Sequence, residues 1–315
     1  MKAMVIHQYG SPEVLQYADM PQPAINPDQL LVKIRASSVN PVDWKIRKGM
    51  LKFLTRNKFP MVLGFDLCGE VREVGENVTQ FQQGDTIYAQ LNGAIGGAYA
   101  EYAAVPENLA CYKPHNMTDE EAATVPLAGL TALQGLRDCG GIQPGYKVLI
   151  NGASGGVGTF AVQLAKVMEA EVTGVCSTAN LELVRALGAD RVIDYTQQDF
   201  TQENVRYDII FDVVANQSFL NCKNRLESSG VYVTTLPTPG NLFQTALTSI
   251  FPGKSAKFIL VKPNGQDLAY LKQLIESERV KTTIAATYPL NEIPAAHARS
   301  ETGHVTGKIA IAVAQ

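Results

Sequence analysis

One stretch limits the fold more than any other: Lys147-Val-Leu-Ile-Asn-Gly-Ala-Ser-Gly-Gly-Val-Gly-Thr-Phe-Ala-Val-Gln-Leu-Ala-Lys166. Val148, Leu149 and Ile150 form a short apolar run, the pattern of a strand buried on both faces. Gly152, Gly155 and Gly158 follow on G-x-x-G-x-x-G spacing. From Val157 onward, apolar and small residues return at helical period through Ala161, Val162, Leu164 and Ala165. Glycines at such a turn let a pyrophosphate reach the backbone, and the helix start offers free N–H groups and a positive dipole end. Gly152, Ser154, Gly155, Gly156, Val157 and Gly158 are therefore the candidate phosphate-binding residues for a dinucleotide. A glycine turn also serves plain strand-to-helix packing, so its surroundings decide.

Those surroundings alternate as the reading requires. Strand patterns at 171–176, 191–194, 207–214 and 230–234 are joined by a helical pattern from Leu181 to Leu187, which Gly188 closes. This predicts a doubly wound parallel sheet. Residues 1 to about 120 differ: short strands such as 29–35, 67–74 and 85–90 are separated by Pro, Gly and Asn, as in a mostly β, barrel-like domain. Thr118 and Glu121 have capping-box spacing and open a helix, and a second helix is expected over 127–138. Further on, helices are expected over 265–277 and 293–299, and a strand over 309–313.

With 315 residues the chain has room for about two domains. Its net charge of −3 implies no general attraction to nucleic acid or an anionic membrane. No apolar run approaches the ~20 residues of a membrane helix, and Met1–Ile6 reads as a strand and not as a signal peptide. The five cysteines (68, 111, 139, 176, 222) form no C-x-x-C pair, and the four histidines (7, 115, 297, 304) have no metal-ligand spacing. Free thiols in a reducing compartment and the absence of a metal are expected. No G-x-S-x-G element or paired-carboxylate motif points to hydrolase chemistry.

Several further segments carry a family likeness: Ser38-Val-Asn-Pro-Val-Asp-Trp44, Gly64-Phe-Asp-Leu-Cys-Gly-Glu-Val71, Phe81–Asp85, Ala128–Ala132, Leu187–Tyr195 and Gly303-His-Val-Thr-Gly-Lys-Ile309. With the glycine turn they run nearly end to end. The chain resembles the medium-chain dehydrogenase/reductase superfamily, in its zinc-independent quinone oxidoreductase and enone reductase branch, and is similar to homologues from chloroplast envelopes and cyanobacteria. The resemblance implies a mostly-β GroES-like catalytic domain (1–122 plus 265–315) with an α/β Rossmann NADPH-binding domain (123–264) inserted. It also implies a homodimer formed by edge-to-edge pairing of nucleotide-domain sheets. A cytoplasmic location is expected, or the plastid stroma or envelope periphery if the source is a plant.

The family's zinc enzymes keep a Cys and a His where this chain has Asn40 and Phe65. Neither replaces a thiolate or an imidazole, so the resemblance implies hydride addition to a conjugated acceptor without a Lewis acid. In NAD enzymes of this fold an acidic residue ends the second strand and takes the ribose hydroxyls. Here Cys176 is followed by Ser177, Thr178, Ala179 and Asn180. Ser177, Thr178 and Asn180 can donate to a 2′-phosphate, which favours NADPH over NADH, although relatives carry Lys or Arg where Ala179 stands. Family positions add Tyr195 near the adenosine phosphate, Thr131 near the nicotinamide ribose and Lys308 toward the cofactor. Their plain alternatives are strand-end packing, a helix threonine bonding its own helix and a solvated lysine.

Asn40 matches the residue facing the substrate carbonyl, where its amide would donate to a developing enolate oxygen; the plain alternative is a loop asparagine serving backbone groups. Trp44, Phe65, Leu127, Phe243 and Phe251 are candidate apolar walls for a flat, conjugated substrate, an alkenal, alkenone or quinone. Asp66 is a candidate brace, and Asp43 and Arg47 have the spacing of an i,i+4 ion pair. The proton donor is left open between water and a tyrosine. The rival class is an NADPH-binding, crystallin-like or interaction protein with little turnover. No nucleic-acid partner and no integral membrane segment are expected.

Overall fold

A computed structural model describes residues 1–236, 239–250 and 252–313. The chain divides into two compact units: Met1–Leu130 with Lys262–Glu278 and Thr282–Gln315, and Thr131–Val261 with Arg279–Lys281.

The first unit opens with eight strands: β1 (Lys2–Ile6), β2 (Gln16–Asp19), β3 (Gln29–Val39), β4 (Met61–Val62), β5 (Asp66–Val74), β6 (Thr86–Gln90), β7 (Tyr102–Pro106) and β8 (Ala110–Tyr112). Its helices are α1 (Pro41–Arg47), α2 (Lys52–Thr55), α3 (Asp119–Ala123) and α4 (Pro126–Gln134), the last running through the unit boundary. The capping box that opens α3 is present: Thr118 Oγ1 accepts from Glu121 N at 3.2 Å, and Glu121 Oε2 accepts from Thr118 N at 2.9 Å.

The second unit alternates β9 (Lys147–Asn151), α5 (Gly156–Val167), β10 (Glu171–Cys176), α6 (Leu181–Ala186), β11 (Arg191–Asp194), β12 (Tyr207–Asp212), α7 (Phe219–Cys222), β13 (Leu226–Thr234), α8 (Pro239–Ile250) and β14 (Ser255–Phe258). All its strand pairs are parallel, in the order β11-β10-β9-β12-β13-β14. This is the doubly wound arrangement, with its switch point between β9 and β12. The apolar runs explain the centre: Val148, Leu149, Ile150, Ile209, Ile210 and Phe211 are all fully buried.

The chain then returns to the first unit with α9 (Gly265–Glu276), β15 (Ile284–Pro289), α10 (Ile293–Glu301) and β16 (Lys308–Ala312). β16 joins β3 antiparallel, with Ile309 opposite Val39, and β5 lies on the other side of β3, with Asp66 opposite Ser38. Three strands from distant parts of the sequence thus converge at the Ser38–Asn40 end of β3. The apolar faces of β1, β3, β5, β6 and β16 close around one core that includes Ile6, Leu30, Ile34, Leu67, Ile87 and Ile311.

The expected helix over 127–138 is two pieces. α4 ends at Gln134 and a π-helical turn, Gly135–Gly140, follows. A Cβ on Gly135 would lie 2.5 Å from the Phe211 ring, and one on Gly140 would lie 2.8 Å from Ile209. The two glycines let this turn rest directly on β12. β13 starts at Leu226, ahead of the expected strand over 230–234, because Leu226 pairs with Tyr207 before an irregularity in the ladder. Among the described residues no helix is long and apolar enough to cross a membrane.

Candidate active site

In the second unit, Gly152 leaves β9 at φ +86°, a left-handed conformation that favours glycine. A Cβ there would lie 2.2 Å from Val214, and one on Gly158 would lie 2.1 Å from the Gly152 carbonyl oxygen. These two positions close the turn. Gly155 caps α5 without any side-chain bond, and a Cβ there would meet only the Gly152 oxygen at 3.5 Å. The N–H groups of Gly156, Val157 and Gly158 have no acceptor among the described residues. An open helix start with unsatisfied donors beside a glycine cradle fits a pyrophosphate.

Buried Asp212 braces the neighbouring turn. Its Oδ1 accepts from Asn151 Nδ2 (2.8 Å) and Ala215 N (3.0 Å), and its Oδ2 accepts from Gln217 N (2.9 Å) and Tyr232 OH (2.8 Å). After β10, Ser177 leads into a 3-10 turn, Thr178–Asn180, and Asn180 Nδ2 donates to Ser177 Oγ at 3.1 Å. Tyr195 is 54% exposed beyond the end of β11, and Thr131 is buried on α4.

In the first unit, the convergence of β16, β3 and β5 builds a buried polar cluster. Asp66 is its hub. Its Oδ2 accepts from Ser38 Oγ (2.7 Å) and Asn40 Nδ2 (2.8 Å), and its Oδ1 accepts from the backbone N of Leu127 (2.8 Å). Lys308 Nζ lies 3.6 Å from Asp66 Oδ2, donates to the Val39 carbonyl at 3.2 Å and donates to Asn40 Oδ1. Burial lowers the Lys308 ammonium from the usual lysine range, while Asp66 and Asp43 pull it back up. Asn40 is therefore held at both ends of its amide, which also fixes the assignment of its oxygen and nitrogen. One of the two Nδ2 protons is committed to Asp66, leaving one for another acceptor.

A second buried set stands behind the first. Asn40 is the N-cap of α1, and its backbone N donates to Asp43 Oδ2 at 2.7 Å. Tyr99 OH donates to the same oxygen at 2.8 Å and meets His297 Nε2 at 3.1 Å. Asp43 Oδ1 has no partner among the described residues. Burial pushes the Asp43 carboxyl up to about 7, against the pull of the Asn40 and Tyr99 hydrogen bonds. Burial also holds His297 at about 3, with Arg47 adding to the effect. The expected Asp43–Arg47 ion pair does not form: Arg47 pairs with Glu301 of α10, and Asp43 faces Asn40 and Tyr99 instead.

Of the proposed walls, Phe65 is buried in the core of the first unit and Leu127 packs against that core. Trp44 on α1 lies under Lys45 and Lys48, which are 5.6 and 5.1 Å from its ring centre. Phe243 on α8 is 68% exposed, and Phe251 lies outside the described residues. Among the described residues no group of three or more His, Cys, Asp and Glu side chains could hold a metal ion. Sequence reasoning missed Ser38, Tyr99 and His297, which no local spacing marks, and placed Asp66 only as a brace.

Known proteins resemble this chain along nearly its whole length. The alcohol dehydrogenase GroES-like domain family matches residues 26–115, and the zinc-binding dehydrogenase family matches residues 187–311. The chain is 36% identical to the chloroplast envelope quinone oxidoreductase homolog of Arabidopsis thaliana, over 99% of this chain and 98% of that protein. It is 35% identical to the chloroplastic NADPH-dependent alkenal/one oxidoreductase of the same plant, over 99% of this chain and 79% of that protein. The solved quinone oxidoreductase of Coxiella burnetii superposes with a TM-score of 0.93 at 32% identity, covering 100% of this chain and 99% of that one.

Proposed function

The chain belongs to the medium-chain dehydrogenase/reductase superfamily, and from that premise we propose that it is a zinc-independent, NADPH-dependent reductase of α,β-unsaturated carbonyls or quinones. One observation carries the reading: Asn40, which with Phe65 stands where the superfamily's zinc enzymes keep a Cys and a His, is held instead by Asp66 and Lys308. Both Asp66 oxygens already accept hydrogen bonds, and an ammonium lies beside them. A zinc ion placed there would meet a like charge and no thiolate or imidazole.

Bound NADPH supplies the hydride, and the chain supplies binding and orientation. Gly152 to Gly158 and the first turn of α5 would hold the pyrophosphate, and Ser177, Thr178 and Asn180 would face the adenosine ribose. Lys308 on Asn40 Oδ1 polarises the amide, which strengthens the remaining Nδ2–H as a donor. That donor stabilises the oxygen of the substrate as it becomes enolate-like or hydroquinone-like. The Tyr99 hydroxyl is committed to Asp43 and His297, which leaves the proton to water or to another tyrosine. The edge strand β14 offers a side for pairing two copies.

The test is NADPH oxidation by purified protein against a short alkenal, a longer alkenone and a simple quinone, with and without EDTA. Saturable turnover unchanged by EDTA, with a saturated carbonyl or hydroquinone product, is expected. Turnover abolished by EDTA and restored by zinc would reject the metal-free mechanism. Tight NADPH binding without turnover on any acceptor would favour a binding protein.

A further inference from the structure

The second strand of the nucleotide sheet, β10, ends without an acidic residue, yet a carboxylate stands beside that end. β11 pairs parallel to β10 with Asp194 opposite Cys176, so Asp194 leaves its strand at the level where β10 gives way to Ser177. Tyr195 N donates to the Cys176 carbonyl at 3.0 Å and ties the two strand ends together. Thr178 Oγ1 donates to Asp194 Oδ2 at 2.5 Å, and Gln197 Nε2 donates to the same oxygen at 3.2 Å. Asp194 Oδ1 accepts from Thr196 N at 3.0 Å and from Thr196 Oγ1 at 2.8 Å.

We propose that Asp194 is a specificity-determining residue that reads the adenosine ribose and keeps the preference for NADPH over NADH narrow. This rests on the dinucleotide reading above. In this fold the group beyond the end of the second strand distinguishes a ribose 2′-hydroxyl from a 2′-phosphate. A ribose hydroxyl can replace the long, exposed Gln197 contact on the carboxylate, whereas a phosphate is repelled by it. The Thr178 hydroxyl, a natural donor to a 2′-phosphate, already gives its proton to Asp194. No Lys or Arg occurs among Ser177–Asn180, and Arg185 of the following helix is paired with Glu182. The Thr178 and Thr196 donors hold the Asp194 carboxyl below its usual range, so it is ionised at neutral pH.

The test is a fluorescence titration of NADPH and NADH into wild type, Asp194→Asn and Asp194→Ser, with melting curves alongside. Asparagine keeps an acceptor for Thr196 N, and serine keeps a small polar group if the amide disturbs the turn. The ratio of NADPH to NADH affinity should rise about two- to fivefold in both variants, the scale of one exposed charge interaction. An unchanged ratio in variants that melt with wild type would overturn the proposal while leaving cofactor binding intact. Wild-type protein that binds neither cofactor would overturn the dinucleotide reading, and this inference with it.

Discussion

Asn40 shows how one side chain can be set by three strands. β3 delivers it, β5 supplies Asp66 to its nitrogen and β16 supplies Lys308 to its oxygen. Asn40→Ala removes both links and the spare donor. Turnover should fall about 10²–10³-fold, as for loss of an oxyanion donor, while the NADPH dissociation constant stays within about threefold. Steady-state kinetics and titration on the same preparation separate the two, and unchanged turnover would reject the donor role. Asn40 and Lys308 were legible in the sequence through short segments with a family likeness. Tyr99 and His297 were not, because their contact spans 198 residues and nothing local marks either residue. Asp194 escaped for a related reason: the acid was sought at the end of β10, but the parallel register brings it from β11.

At the scale of elements, the glycine turn separates two kinds of necessity. Gly158→Ala forces a Cβ to 2.1 Å from backbone, so the turn must shift. It should lower stability by about 1–3 kcal/mol and weaken NADPH binding together. Gly155→Ala meets nothing closer than 3.5 Å and starts from φ −80°. Its stability should stay within about 1 kcal/mol of wild type, while its new methyl intrudes on the phosphate site and weakens NADPH. Urea titration and cofactor titration of both variants check this; equal stability losses would show that Gly155 is structural too. The buried strands of this unit were legible because their apolar runs are continuous. β14 and α8 were not: β14 is a short edge strand carrying Lys257, and the apolar residues of α8, Leu242, Phe243, Ala246 and Leu247, recur at helical spacing but stay exposed, so no strand–helix alternation around a buried core marks them. The break after α4 was invisible because it depends on what Gly135 and Gly140 touch.

At the scale of the molecule, two buried groups of the first unit set opposite responses to pH. Asp43 lies at about 7 and His297 at about 3, against unfolded values near 3.9 and 6.5. The stability tied to protonated Asp43 is present below pH ~4 and lost as pH rises through 7. That tied to neutral His297 is present above pH ~6.5 and lost as pH falls toward 3. Each changes stability by about 1.4 kcal/mol per pH unit in its window, with opposite sign, so between pH ~4 and ~6.5 they nearly cancel. His297→Gln should expose a stability that falls as pH rises, and Asp43→Asn one that rises. Urea unfolding at pH 4.5, 5.5 and 6.5 reads the slopes. The same slope in all three proteins would remove both groups from the account. Asn40, Tyr99, Asp66 and Lys308 act on Asp43, and Arg47 and Tyr99 face His297, so each variant should be read with these neighbours intact.

The bond from Lys308 to Asn40 spans 268 residues, with the whole six-stranded unit threaded between them. On a ribosome that makes about 5–20 residues per second, this interval lasts ~13–50 s. Most of that interval goes to making the second unit, and the stretch from Phe258, the end of its last strand, to Lys308 leaves its sheet about 2.5–10 s to form before the lysine exists. During that wait β3 lacks one neighbour, and Asp66 lacks the ammonium that will lie 3.6 Å from it. The last strand to be made therefore completes the Asn40–Asp66–Lys308 cluster, after every strand of the parallel sheet is already in the chain.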